Sequence, residues 1–326
     1  MTKQHEIPGL PPPNFVGNEA MADESVGKVL VKPDSDSDYR AYSAISYSTL
    51  ATFSQSPDHL FLPRKQTWAC QMGIATEMLV YDKLYGTNQF ASKFFMSKTS
   101  GLIPDRLLEA VLAQTDLSLL IVWNKPDKKT GEVQKNKKHE RMHTLIDECK
   151  DNPAKMPVCR DDFRIIHTMA ENMLKIDVES DFGNIRLADF LADAETQEPL
   201  VWKKYGVEKK ALPDFLVKKS RNFLFDLKTA ASFHFFERML RSKYWIQDQH
   251  YHEGAEELFG VCEPMVFIVL SKEKPYLART FKLKKEDRKQ AGIEYAKLIK
   301  RYLAWKKNGS QPVGWLPMRK IKLYFE

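Results

Sequence analysis

The spacing of apolar positions predicts three helices in the segment from about residue 46 to residue 176. A short helix is expected after Ser46 or Ser48, either of which can cap it, and should end before Pro57. Residues 67–86 carry apolar side chains on most faces and predict a largely buried helix, with Glu77 at its centre. Residues 161–176 have the amphipathic pattern of a further helix.

The pattern then shortens to β-rich runs. These runs are NIRLADFL (184–191), LVWKKYG (200–206), ALPDFLVKK (211–219) and NFLFDLKTA (222–230). The turn KKSRN joins the last two, which predicts an antiparallel hairpin. Helical spacing returns at 232–260, two strand-like runs follow at 265–283, and a helical stripe occupies 294–307. This order predicts a mixed α/β domain with one central sheet flanked by helices.

Charge divides the chain into an arm and a basic body. Residues 1–40 are rich in proline and serine and hold seven acids against four bases, so we expect a disordered acidic arm. The whole chain of 326 residues carries a net charge of +7, so residues 41–326, predicted to be a single domain, are more basic than the average. Residues 124–141 contain seven bases and three acids and predict an exposed basic loop inserted in that domain.

Composition excludes several classes of protein. The four cysteines are scattered without the spacing of a zinc site, a disulfide framework or an iron–sulfur cluster: Cys70, Cys149, Cys159 and Cys262. No run of 18 apolar residues appears, and the first residues lack the apolar stretch of a signal peptide. We therefore expect a cytoplasmic protein that does not bind membranes.

The predicted hairpin carries three charged residues that suggest chemistry. Asp226 and Lys228 point to one face of their strand, opposite Phe223 and Phe225, and the hairpin can bring Asp214 beside them. Two carboxylates provide oxygen ligands for Mg²⁺ or Mn²⁺, and a lysine can orient a water and stabilise charge on a phosphate. A structural ion pair between Lys228 and one of the acids satisfies the same spacing.

Several motifs in sequence order strengthen the hydrolytic interpretation. Pro213 and Asp214, followed by the triplet Asp226 to Lys228, resemble the signature of the PD-(D/E)xK nuclease superfamily. The segment MGIATEMLVYD (72–82) resembles the motif MGTALHxLLLE of RecE-type phage exonucleases, with Glu77 where that family usually has histidine and the lambda-type branch has a carboxylate. Gln247 and Tyr251 match the Q-x-x-x-Y motif of the same exonucleases. The resemblance runs from about residue 43 to 318.

The resemblance implies a restriction-endonuclease-like core and a division of roles within the site. Glu77, Asp214, Asp226 and the backbone carbonyl of Leu227 would hold Mg²⁺, for which Mn²⁺ substitutes, and Lys228 would activate or steer the attacking water. Gln247 would position the attacked phosphate, and Tyr251 would pack on the nucleic acid. The implied activity is 5′ to 3′ digestion of linear double-stranded DNA in a bacterial or phage-infected cell, leaving 3′ single-stranded tails for recombination.

Partners and contacts beyond the reacting atoms are also implied. Relatives act at double-stranded DNA ends, form homo-oligomeric rings and work with a single-strand annealing protein. Candidate contacts to DNA are residues of the arm, the first helix, the basic loop and the hairpin region: Arg40, Ser48, Lys128, Lys129, Lys210 and Thr229. His250 and His252 fall on different helical faces, which favours surface positions over metal ligation.

Two other functions remain open. The same core suits a RecB-type nuclease that cuts single strands or particular DNA structures. It also suits a non-catalytic DNA-binding protein built on a nuclease core, although the presence of Asp214, Asp226 and Lys228 favours catalysis. Metal-dependent cleavage separates this last class from the other two.

Overall fold

The structure, a computed structural model, describes residues 36–62, 66–101, 103–120, 137–180 and 183–310. Its α-helices are α1 (Asp36–Ala41), α2 (Tyr47–Gln55), α3 (Trp68–Tyr85), α4 (Gln89–Lys93), α5 (Asp105–Leu112), α6 (Lys137–Asp151), α7 (Arg160–Leu174), α8 (Leu187–Leu191), α9 (Phe233–Met239), α10 (Trp245–Phe259) and α11 (Lys285–Lys307). Short 3-10 turns lie at Pro57–Phe61 and Leu117–Leu120, and a π-helical turn, Leu240–Tyr244, joins α9 to α10.

Within the described ranges the strands form one larger sheet and three smaller ones. They are β1 (Ile45–Ser46), β2 (Phe94–Ser97), β3 (Met156–Cys159), β4 (Asp177–Ser180), β5 (Gly183–Arg186), β6 (Glu195–Thr196), β7 (Leu200–Lys204), β8 (Val207–Ala211), β9 (Phe215–Lys218), β10 (Asn222–Ala230), β11 (Val266–Ser271) and β12 (Ala278–Phe281). The five-stranded sheet has the order β12-β11-β10-β9-β6, a second sheet has the order β1-β8-β7, and β2-β3 and β4-β5 are pairs. Because β10 and β11 run parallel while the other neighbours in the five-stranded sheet are antiparallel, that sheet is mixed.

The five-stranded sheet is covered on both faces. Phe225 and Leu227 of β10 pack into a core with α3, α5, α6 and α7, while Leu224 and Ala230 of the same strand pack into a core with α2, α10 and α11. Residues one position apart on a strand face opposite sides, so this division follows from the alternation of β10. Asp226 and Lys228 therefore belong to the face that carries α10.

Helix α3 illustrates how closely local sequence sets an element's limits. It begins after Thr67, whose hydroxyl accepts a hydrogen bond from the backbone N of Cys70 at 3.4 Å. It ends at Gly86, which has the left-handed conformation (φ 66°) that favours glycine. Helix α2 is likewise capped by Ser46, which accepts from the backbone N of Thr49 at 3.2 Å and confirms one of the two predicted caps.

The predicted fold class, a mixed sheet flanked by helices, is confirmed. The five-stranded sheet does not include every strand, because β8 pairs with β1 on one side and with β7 on the other. The strand predicted over residues 184–191 is wrong in its second half. There Leu187 and Leu191 are fully buried one helical turn apart, so α8 buries both on one face.

The two segments singled out by charge are described only at their ends. Residues 1–35 of the predicted arm and residues 121–136 of the predicted basic loop lie outside the described residues, and the last part of the arm forms α1. Residues 137–141 begin α6, so the loop prediction is wrong for them, because Met142, Leu145 and Ile146 bury one face of that helix. Within the described parts of the chain, no helix combines the length and the hydropathy needed to cross a membrane.

Candidate active site

The first predicted acid, Asp214, lies at the opening where the strands β9 and β10 separate in the five-stranded sheet. The pairing of β9 with β10 ends at Phe215 and Phe225, whereas the pairing of β10 with β11 continues to Ala230. Asp214, the residue just before β9, fills this opening and accepts a hydrogen bond from the backbone N of Leu227 through Oδ2, at 2.6 Å. Since the N–H and C=O of one strand residue point to the same side, the carbonyl of Leu227 is expected to face this opening too.

The second acid is held from two sides. Asp226 is buried, its Oδ2 contacts the ammonium of Lys228 two residues along β10, and its Oδ1 accepts from Nε2 of Gln247 on α10 at 2.6 Å. Alternation along β10 brings Asp226 and Lys228 together, as predicted, and α10 provides the amide. The ion pair that spacing left open is therefore present.

The third acid comes from α3 on the other face of the sheet. Helix α3 passes close to β10 at Gly73, where a Cβ would lie 3.4 Å from Oγ1 of Thr229. One turn further along α3, Glu77 accepts a hydrogen bond through Oε1 from the hydroxyl of Tyr81 at 3.0 Å. The same hydroxyl lies 3.1 Å from the backbone carbonyl of Asp214, so Tyr81 joins the two acids.

The charges of the site oppose one another. Burial and, secondly, the charge of Glu77 raise the pKa of Asp214 to about 8, against the opposing effects of Lys228 and of the hydrogen bond from Leu227. Burial lowers the pKa of Lys228, while the charges of Asp214 and Glu77 counteract this effect. Two carboxylates and one lysine thus interact electrostatically at this opening, an arrangement that a positive ion would stabilise.

The Q-x-x-x-Y pair acts here on the acids. Gln247 is buried and binds Asp226, and the hydroxyl of Tyr251 donates to the backbone carbonyl of Leu212 at 3.2 Å, two residues before Asp214. The ring of Tyr251 is buried against Tyr47 at a centroid distance of 5.7 Å. In the structure Gln247 therefore orients Asp226, and Tyr251 holds the backbone just before Asp214. Tyr251 does not present its ring to solvent, as stacking on nucleic acid requires.

The donor set suits a hard divalent cation only in part. Carboxylates of Glu77 and Asp214 meet at the opening, and oxygen ligands of this kind match Mg²⁺ and Mn²⁺. In addition, Oε1 of Gln247 is buried without a hydrogen-bond partner. However, no three histidine, cysteine or acidic residues of the described ranges cluster closely enough to hold a metal. Asp226, the third predicted ligand, is directed to Lys228 and Gln247 instead.

A π-helical turn adds two residues that were not predicted. Tyr244, three residues before Gln247, has its ring 5.5 Å from the ammonium of Lys228 and stacks on Phe236 at 5.4 Å. The ammonium of Lys243 lies 5.0 Å from the same ring, and its charge contributes to the lowered pKa of Lys228. Helical spacing from Gln247 identifies Tyr244 in retrospect, because positions i and i+3 share a helix face.

The predicted DNA contacts have different environments, and Lys210 is buried instead of being available on the surface. Lys210 donates to the backbone carbonyls of Tyr39 and Tyr42, at 2.6 and 2.7 Å, and so fastens α1 to β8. Ser48 lies in a hydroxyl cluster with Ser46, at 2.9 Å, and Thr229 faces α3 at Gly73. Arg40 is exposed on α1, and Lys128 and Lys129 lie outside the described residues.

Sequence reasoning also missed Gln197, whose Nε2 donates to Oε1 of Glu77 at 2.8 Å. The two residues are 120 positions apart, and no motif marks Gln197. Tyr81 had a signal, since it lies one helical turn after Glu77. The surface prediction for His250 is wrong. Its ring is fully buried, with Nε2 donating to the carbonyl of Lys210 at 3.0 Å and Nδ1 2.7 Å from the hydroxyl of Tyr295.

A mixed sheet with acids and a lysine at a strand opening, and with further acid and amide groups from helices on its two faces, is a nuclease-like core. The model of a PDDEXK-like domain of unknown function (DUF3799) matches residues 122–314, more than half of the chain. The chain belongs to this family, which confirms the resemblance to the PD-(D/E)xK superfamily. Nucleases of that superfamily generally use divalent metals.

Comparison with solved structures and curated sequences adds little detail. A crystal structure at 2.19 Å from Eubacterium rectale, described provisionally as that of an exonuclease, has a TM-score of 0.49 and 12% sequence identity, and the match covers 92% of this chain and 97% of the other. No curated protein sequence matches the chain.

Proposed function

We propose that the protein is a Mg²⁺-dependent exonuclease that digests linear double-stranded DNA from its 5′ ends and leaves 3′ single-stranded tails for recombination. The observation that carries the hydrolytic part is the set of contacts at the opening beside β10. Tyr81 joins Glu77 to the backbone of Asp214, the carboxylate of Asp214 binds the backbone N of Leu227, and Asp226 contacts Lys228. The end preference, the polarity and the use in recombination are supported only by the resemblance to RecE-type exonucleases.

The residues divide the work in a way that their contacts support. Glu77, Asp214 and the carbonyl of Leu227 would hold the cation, and Asp226 would join them on release from Lys228. When bound, a divalent cation supplies Lewis-acid stabilisation of charge on the phosphate. Lys228, whose pKa is lowered by burial, would orient the attacking water and, in its neutral amine form, accept the proton that the water loses. Gln247 holds Asp226 in place, and Tyr251 holds the backbone of Leu212, two residues before Asp214.

The first experiment is digestion of linear duplex DNA that carries different labels at its 5′ and 3′ ends, with Mg²⁺ or with EDTA. Early Mg²⁺-dependent release of the 5′ label, lost in Lys228→Ala, is the expected result. Lys218→Ala is a matched control, because Lys218 pairs with Glu195 at the exposed end of the same hairpin. A covalently closed circle should remain intact, and cutting of the circle would favour a RecB-type endonuclease.

Assembly belongs to the same proposal. Relatives of the RecE type form rings around DNA and act with an annealing protein, and we propose both for this chain. Sedimentation of the purified protein, alone and with linear duplex DNA, tests the first of these. A monomer under both conditions would contradict the ring.

A second candidate is a DNA-binding protein without catalysis. Two observations favour it: within the described ranges no three potential ligands cluster, and Asp226 is occupied by Lys228 and Gln247. DNA binding without cleavage under either Mg²⁺ or Mn²⁺ would support this candidate over the nuclease.

A further inference from the structure

We propose that Gln197 is a positioning residue for the cation site, which it serves by fixing the carboxylate of Glu77 against Asp214. The inference rests on the proposed function only in requiring that a divalent cation binds here. It concerns a residue on the loop between β6 and β7, outside the motifs that define the site.

The contacts of Gln197 reach both acids at once. Its side-chain Nε2 donates to Oε1 of Glu77 at 2.8 Å, and its backbone N donates to the carbonyl of Asp214 at 3.3 Å. Tyr81 makes the same pair of contacts from α3, at 3.0 and 3.1 Å. Glu77 and Asp214 are therefore tied together twice, once by a buried tyrosine and once by an exposed glutamine.

The geometry also selects which oxygen of Glu77 is offered to a ligand. Both donors bind Oε1, so neither of these hydrogen bonds uses Oε2. A carboxylate that binds a cation through one oxygen is commonly held by hydrogen bonds to the other, and such partners strengthen cation binding. Gln197 and Tyr81 have this relation to Glu77.

The backbone of Gln197 has an unfavourable conformation, so holding its side chain against Glu77 costs conformational free energy. Its φ of 50° lies in the left-handed region, which is unfavourable for a residue with a Cβ and favours glycine. Backbone strain of this kind is found disproportionately at functional sites. A purely structural turn is served better by glycine, whereas glycine provides no amide for Glu77.

This conflict gives a test that separates positioning from structure. In Gln197→Gly the backbone is relieved and the amide is lost, and in Gln197→Met the length is kept and the amide is lost. The matched control is Gln290→Met, because Gln290 is an exposed glutamine that donates to Glu294 at 3.1 Å on α11. Binding of Mn²⁺ to the full chain is measured from the paramagnetic resonance signal of free Mn²⁺, and thermal unfolding is recorded without metal.

We expect both Gln197 variants to bind Mn²⁺ about 10-fold more weakly than the wild-type protein. We also expect Gln197→Gly to melt at the same or a higher temperature, and Gln290→Met to match the wild type in both measurements. Equal Mn²⁺ affinity in all four proteins, or no Mn²⁺ binding by the wild type, would overturn the inference. Mn²⁺ binding by a wild type that does not cleave DNA rejects the nuclease proposal alone, and the Gln197 comparison still decides this one.

Discussion

The two ends of helix α10 bury charge in opposite ways. Near its C-terminal end, Lys209 is completely buried and pairs with Glu253 at 2.5 Å, while Nε1 of Trp202 donates to the same carboxylate at 3.1 Å. That cluster contains one cation and one anion, and the ring of Tyr295 lies 5.3 Å from the ammonium. Near the N-terminal end, Gln247 binds Asp226, and Lys228 contacts Asp226 and interacts electrostatically with Asp214 and Glu77.

The difference separates a structural use of buried charge from a functional one. Around Lys209 the positive and negative charges balance, and breaking the pair should cost stability. Around Lys228 the acids outnumber the lysine, so the fold tolerates a repulsion that a bound cation or a proton would relieve. Comparing variants of the two clusters therefore tests whether the charges around Lys228 serve function or only the stability of the fold.

The largest effect is expected from Asp214→Asn. Asparagine can still accept the hydrogen bond from Leu227, but it removes a charge that the proposed mechanism needs, so cleavage should slow by about 10³-fold. The melting temperature at pH 7 should stay equal or rise, because asparagine removes a carboxyl whose pKa is raised to about 8, first by burial and then by the charge of Glu77. Rates come from digestion of labelled linear duplex DNA, and stability comes from calorimetry.

Asp248→Asn is the matched comparison for that variant. Asp248 is also fully buried, but its Oδ2 pairs with Nε of Arg288 at 3.2 Å, so the same substitution should lower the melting temperature. If Asp214→Asn retained cleavage within about tenfold of the wild type, Asp214 would not be a catalytic ligand.

The next largest effect is on stability, in Lys209→Met. Removing the lysine leaves Glu253 unpaired at a largely buried position, which should lower the free energy of unfolding by about 3 kcal/mol. Lys204→Met is the matched control, because Lys204 pairs with Glu257 at 2.5 Å nearer the surface and should cost less than about 1 kcal/mol. Urea denaturation measures the free energy of unfolding of both variants. Equal losses would show that the buried Lys209 pair stabilises the fold no more than the exposed Lys204 pair does.

A smaller effect follows from pH and the histidines of α10. Burial lowers the pKa of His250 to about 3 and that of His252 to about 4. In the unfolded chain these histidines bind protons below about pH 6.5, whereas in the folded chain they stay neutral. Their contribution to the free energy of unfolding is therefore complete above that pH and is lost as the pH falls. Each histidine should cost about 1.5 kcal/mol between pH 6.5 and 5.

Denaturation at several pH values in that interval measures the slope, and His250→Gln should reduce it by about half, because the contribution of His252 remains. An unchanged slope in this variant would show that His250 is not buried in its neutral form.

The smallest predicted effect concerns Lys243. Its position beside Tyr244 and Lys228 suggests contact with a backbone phosphate, so Lys243→Ala should weaken DNA binding several-fold and reduce the salt dependence of log K by about 0.9. Binding is measured by fluorescence anisotropy in the Asp214→Asn background, where DNA stays intact. Lys297→Ala is the control, since Lys297 pairs with Glu294 on α11, and equal losses in the two variants would indicate only a general charge effect.

The sequence predicted most of the fold because periodicity is a local property. Helices α2, α3 and α7 and the β9–β10 hairpin were all predicted, and the alternation of Asp226 and Lys228 followed from the strand alone. The run at 184–191 was misread because a short apolar segment satisfies a strand and a buried helix equally.

The site was predicted less completely than the fold. Its acids and lysine follow from motifs, but the partners of those residues depend on long-range packing. Gln197 binds Glu77 from a loop that is distant in sequence, and the buried ring of His250 is hydrogen-bonded to the carbonyl of Lys210 and the hydroxyl of Tyr295. Contacts of this kind are fixed only when the chain has folded.

The π-helical turn at Leu240–Tyr244 has a consequence for comparing this chain with its relatives. A π turn holds one more residue than an α turn, so the residues after it are rotated relative to those before it. A helical wheel that uses one constant angle per residue from Phe233 to Phe259 therefore gives the wrong relative orientation of the side chains of α9 and α10. A relative without the extra residue would need a one-residue gap within 240–244 to bring its Q-x-x-x-Y pair into register, and an ungapped alignment would place its glutamine opposite Ile246.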